Sequence, residues 1–85
     1  MIIKPQLSRR ITNWLALRKA LGLTQNSFGH FIGLSQKSIW ELETGRQQAI
    51  SHNTERSLRA FLRQPKVQRL LIEAGVKHPY PEDIT

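Results

Sequence analysis

The chain has 85 residues, with 13 lysines and arginines against 6 aspartates and glutamates, a net charge of +7. This length builds one domain at most, and 39% hydrophobic residues suffice for a core, which excludes a wholly disordered basic tail. The lack of cysteine excludes a disulfide framework, cysteine-ligated zinc and thiol catalysis. No apolar run approaches the roughly 18 residues of a membrane span, and the start MIIKPQLSRR lacks the apolar stretch of a secretion signal. A cytoplasmic protein without membrane contact is expected. Carboxylates are few and scattered, and His30, His52 and His78 lack metal-ligand spacing. No enzyme, metal site or cofactor is therefore expected, and the histidines read as surface or cap residues. The positive charge points to a polyanion, nucleic acid first.

Residues 1–7 read as an N-terminal arm, because Pro5 blocks an early helix. Residues 8–75 read as the domain. Ser8 is placed to cap a helix running to Leu21, with Ile11, Trp14, Leu15 and Leu21 inward and Arg18 among them. Thr24 caps a second helix carrying Phe28, Phe31 and Ile32, which Gly33 ends. Ser35 caps a third helix through Glu43, with Ile39 and Leu42 inward, and a polar loop fills 44–52. A fourth helix opens near Ser51 or Asn53 and carries Leu58, Phe61 and Leu62. Pro65 breaks it and suits the first turn of a fifth. There Val67, Leu70, Leu71 and Ala74 recur at i, i+3, i+4 and i+7. Residues 76–85, with Pro79 and Pro81, read as an irregular tail. The prediction is all-α, five short helices. Such a chain buries only about 60–65% of its unfolded surface, so a partner subunit would help it. The stripe of Val67, Leu70 and Leu71 is either core or a dimer surface.

The informative stretch is residues 22–45, GLTQNSFGHFIGLSQKSIWELETG. Two short helices flank a tight turn at Gly33. The helix before it must pass close to its partner, and residue 29 is glycine. Phe28, Ile39 and Leu42 would form the wedge between them. This is the pattern of a helix-turn-helix, whose second helix enters the DNA major groove.

At these residues the chain resembles the Cro and phage-repressor type of helix-turn-helix, the XRE family. The matching positions are Arg18, Gly22-Leu23-Thr24-Gln25, Gly33, Ser35-Gln36-Lys37-Ser38-Ile39 and Leu42-Glu43-Thr44-Gly45-Arg46. The resemblance covers roughly residues 11–62 and implies a lambda-repressor-like fold. Three departures stand out: Gly29 replaces the family's usual alanine, the loop after Gly45 lacks the usual proline, and Arg56-Ser57 is polar where the family often shows apolar positions.

The resemblance assigns base reading to Gln36 and Lys37, and their chemistry agrees. Glutamine suits adenine N6 and N7, and lysine suits guanine O6 and N7. Trp40 and Glu41 lie one turn on. Trp40 either touches a thymine methyl or packs on the following loop; Glu41 either accepts from cytosine N4 or repels wrong sites. Similar proteins place the residue equivalent to Gln25 on a phosphate, and Thr44 and Arg46 are backbone-contact candidates. Ser35 is a cap that can also meet DNA, and Ser38 can reach backbone or base. The resemblance further implies a structural ion pair between Arg18 and Glu43. Arg56, Arg59 and Arg63 share a helical face, either a phosphate stripe or a solvated one. Lys4, Arg9 and Arg10 are candidates for an arm on the flanking backbone.

The function expected is a regulator binding double-stranded DNA in sequence-specific fashion, most simply a homodimeric repressor on a palindromic operator. The alternative is the antitoxin of a toxin–antitoxin pair, which would also bind a toxin protein.

Overall fold

A computed structural model describes residues 10–84. The arm 1–7 with Lys4, the cap assigned to Ser8, and Arg9 lie outside the described residues. The chain is all-α: helices α1 (Trp14–Ala20), α2 (Gln25–Ile32), α3 (Gln36–Glu43), α4 (His52–Leu62) and α5 (Pro65–Ala74) precede a 3-10 turn at Pro81–Asp83. Thr24, Ser35 and Ser51 cap α2, α3 and α4. Their side-chain oxygens accept the N–H groups of Ser27, Ser38 and Thr54 at 3.0, 3.1 and 3.2 Å. Each bond satisfies an amide that the helix leaves unpaired and is worth about 1 kcal/mol. Pro65 takes the first position of α5, where its missing N–H costs nothing.

The helices close around one core. α2 packs on α3 and α4, α1 on α3 and α5, and α4 on α5. Leu17, Phe28, Ile32, Ile39, Leu58, Leu62 and Leu71 are fully buried. Helix α1 differs from expectation. It starts at Trp14 rather than near Ser8, and Ile11 reaches the core from the segment before it. The buried positions are Trp14, Leu17 and Leu21, whereas Leu15 is exposed. The buried face follows Trp14, Leu17 and Leu21, at i, i+3 and i+7, so Leu17 takes the inward place assigned to Leu15. Phe31 also departs: it is 52% exposed and stacks on Phe61 of α4 with ring centroids 5.0 Å apart. In α5, Val67 and Leu71 are buried and Leu70 lies at the edge. The stripe is therefore mostly core.

The tail is the largest departure. Tyr80 is 1% exposed and His78 is buried, so the segment after α5 belongs to the core. The Tyr80 N–H donates to His78 Nδ1 at 2.9 Å, and His78 Nε2 lies 3.3 Å from the Leu62 carbonyl oxygen. Buried and bonded through both ring nitrogens, His78 is neither a surface nor a cap residue. The Tyr80 hydroxyl donates to Glu55 at 2.8 Å. Next to His78, the Asn13 amide donates to the Lys77 carbonyl at 3.2 Å, tying the start of α1 to the tail.

The turn between α2 and α3 spans three residues. Gly33 holds φ +79°, a conformation that costs glycine nothing, and the Leu34 N–H returns to the Gly29 carbonyl at 2.8 Å. A Cβ at Gly29 would collide with the Leu34 carbonyl oxygen and touch Ile39. Glycine rather than alanine is thus required by the closeness of this turn. Gly29→Ala is expected to lower stability by about 1–3 kcal/mol through overpacking, although alanine is the better helix former by up to about 1 kcal/mol. Thermal unfolding checks this; a higher melting temperature would mean that the turn yields at no cost.

Candidate nucleic-acid interface

Helix α3 is eight residues long, about 12 Å. Ile39 and Leu42 bury one side of it against the core. Gln36, Lys37, Trp40 and Thr44 are exposed, and at three- and four-residue spacing they share the opposite face. Trp40, 41% exposed, sits at the middle of that face. Ser38 and Glu41 are half-buried at its two margins. The charge balance of the exposed face is positive, with Lys37 on it and Arg46 just beyond it.

The start of α3 is held by Ser35. Its hydroxyl accepts the Ser38 N–H and donates to Ser38 Oγ at 3.1 Å. Gln36 and Lys37 therefore leave a capped, fixed helix start with free side chains pointing to solvent.

The end of α3 is held by a cluster of three side chains. Arg18 of α1 grips both oxygens of Glu43, through Nε and through a terminal nitrogen at 3.1 Å from Oε1. Its other terminal nitrogen donates to the Leu23 carbonyl at 2.9 Å. Gln25 of α2 donates its side-chain amide to the same Oε1 at 3.1 Å. Burial alone would raise the Glu43 pKa. The hydrogen bonds from Arg18 and Gln25, with the charges of Arg18 and Lys19, outweigh it and hold the carboxyl below its usual range. Three helices thus meet on one carboxylate. The Gln25 contact carried no sequence signal of its own, because the partners are 18 residues apart. One amide hydrogen of Gln25 remains for a second acceptor.

The chain then reverses. Gly45 adopts φ +80°, open only to residues without a side chain to strain, and the Gln47 N–H reaches the Glu41 carbonyl at 3.1 Å. The Thr44 hydroxyl donates to the Trp40 carbonyl at 2.9 Å, so a phosphate contact from Thr44 requires that hydroxyl to turn. The reversal lays Arg46 over Trp40, its guanidinium carbon 5.0 Å from the ring centroid.

The second basic set is organised differently. Arg59 makes two hydrogen bonds to Asp83, at 2.9 and 2.7 Å, and its guanidinium lies 4.9 Å from the Tyr80 ring centroid. Arg63 approaches Asp83 at 3.7 Å. The hydrogen bonds from Arg59 keep the Asp83 pKa below the ordinary carboxylate range. Of the stripe expected on α4, two arginines face the tail, so it is neither an open phosphate stripe nor a purely solvated face. Arg56, like Arg10, is exposed.

Among the described residues, no three histidines, aspartates or glutamates are grouped to hold a metal ion, and no helix is long and apolar enough to cross a membrane. No family model, curated protein or solved structure matches the chain.

Proposed function

We propose that this protein is a sequence-specific regulator of XRE type that binds double-stranded DNA, most simply a repressor on a palindromic operator. The reading rests on one observation: an exposed polar face on α3, carrying Gln36, Lys37 and Trp40, on a helix fixed at both ends. The major groove admits a helix of this width, and a pinned helix loses little freedom when it enters. Gln36 and Lys37 read base edges; Gln25 and Arg46 meet phosphates on either side. No cofactor is needed, and no reaction is catalysed.

A monomer reads too few base pairs to find one site in a genome, since each contributes about 1–3 kcal/mol. Pairing about a two-fold axis doubles that reading. The dimer contact cannot be a simple α5 stripe, because Val67 and Leu71 are spent on the core. The exposed apolar residues Leu70 and Ile72 are two positions apart and therefore point to different sides of the helix.

Selection from a random duplex pool, followed by competition against every single-base variant of the recovered site, tests the reading. Gln36→Ala and Lys37→Ala should each cost about 1–3 kcal/mol on the best site and relax preference at one position per half-site. Melting temperatures should not change, since both side chains are exposed. Equal weakening of all variants by both substitutions would remove these residues from sequence reading.

One observation favours a second reading, the toxin-binding antitoxin. Phe31, half-exposed on its stack with Phe61, offers an aromatic surface away from the α3 face. Co-purification of a small protein, lost in Phe31→Ser, would select that reading.

A further inference from the structure

We infer that Trp40 is a positioning residue for Arg46: its indole face holds the guanidinium beside α3, with N–H donors free to meet a backbone phosphate. The inference rests on the DNA-binding reading above and adds a role for the one large aromatic side chain on the groove-facing surface.

The geometry carries it. Arg46 stands in an exposed loop, and among the described residues it has no carboxylate partner. A free arginine there would sample many rotamers, and ordering it on binding would cost affinity. The 5.0 Å separation is inside the roughly 6 Å range of cation–π attraction. A contact with the ring face occupies no hydrogen-bond acceptor, so the N–H donors of the guanidinium stay available. The backbone enforces the approach from the other side. Gly45 turns the chain, and the bonds from Gln47 to Glu41 and from Thr44 to Trp40 close the reversal. Trp40 is therefore not a plain apolar probe into the groove. It has a partner before any DNA arrives, and that partner is a phosphate-binding group.

The test is a double-mutant cycle on a short mixed-sequence duplex and on the tightest duplex recovered from a random pool. Trp40→Leu should weaken both by about two- to five-fold, the worth of an exposed cation–π contact. Arg46→Ala should lower the salt slope of log K by about 1. Adding Trp40→Leu to Arg46→Ala should cost nothing further. Trp40→Phe, which keeps an aromatic face, should restore most of the loss, and the base-preference profile of Trp40→Leu should match that of the native protein.

Two outcomes overturn the inference while leaving the DNA reading intact. Additive losses in the cycle would mean that the two residues act apart. A changed preference at one operator position in Trp40→Leu would mean that the indole reads a base itself. Failure of the native protein to bind any duplex would sink the DNA reading and, with it, this one. In the free protein, ring-current displacement of the Arg46 side-chain protons, lost in Trp40→Leu, should already be visible by nuclear magnetic resonance; its absence overturns the inference regardless of DNA.

Discussion

Arg18→Ala should be one of the most damaging single substitutions outside the apolar core. It removes the strongest partner, and two hydrogen bonds, of a carboxylate whose side chain is only 6% exposed. Glu43 would keep Gln25 and the more distant charge of Lys19, too little to offset its lost hydration. Breaking a buried pair on one side costs about 3–5 kcal/mol. Arg18 retains some access to water, so the lower end of that range applies here. In a domain of this size each kcal/mol lowers the melting temperature by about 4–8 °C, and the loss should be plain in a thermal scan at neutral pH. The pH dependence gives the sharper check. The folded-state pKa of Glu43 lies below its ordinary value. The pair's contribution is therefore complete above about pH 5 and is lost as pH falls through the folded value. In Arg18→Ala the orphaned carboxylate is relieved by protonation instead. The gap between the two proteins should accordingly narrow toward pH 3. A gap that stays constant with pH would assign the loss to the packing of the arginine stem and not to its charge.

Tyr80→Ala should be comparably severe. Large aromatic-to-alanine changes in cores cost about 3–5 kcal/mol, and Tyr80 is 1% exposed. The ring also supports Arg59, and its hydroxyl donates to Glu55. With a total stability of only about 5–15 kcal/mol for a native domain, much of the fold's margin would go. Tyr80→Phe separates the contributions. It removes the hydroxyl bond to Glu55, worth about 1 kcal/mol, keeps the ring, and should leave the tail docked. If Tyr80→Ala melts like the native protein, the tail is a passenger on the surface. Asp83→Asn should show a smaller loss, because the Arg59 contact is partly open to solvent.

The two substitutions probe different contacts of the same molecule. Arg18 acts on the end of α3, so its loss should also weaken any DNA binding that depends on the pose of that helix. Tyr80 braces α4 and the tail, and a folded Tyr80→Phe protein should bind with unchanged preference. A binding defect in Tyr80→Phe would bring the α4 arginines into the interface.

Local chemistry made much of this protein legible in the chain alone. Thr24, Ser35, Gly33 and Pro65 mark helix ends because caps, left-handed glycines and first-turn prolines act within a few residues. The α2–α3 unit was readable for the same reason, down to the wedge of Phe28, Ile39 and Leu42, and so was the solvent face of α3 that follows from Ile39 and Leu42 being inward. What only the tertiary structure decided involves residues far apart in sequence. The inward residue of α1 proved to be Leu17, as the packing of that helix on α3 and α5 decides, and Asn13 before it meets Lys77, 64 residues away. Gln25 turned toward Glu43, Arg59 toward Asp83 and Tyr80 into the core, across separations of 18, 24 and 25 residues. Neither periodicity nor capping reports such contacts, because each depends on where two helices come to rest, and that is set by the packing of the whole core.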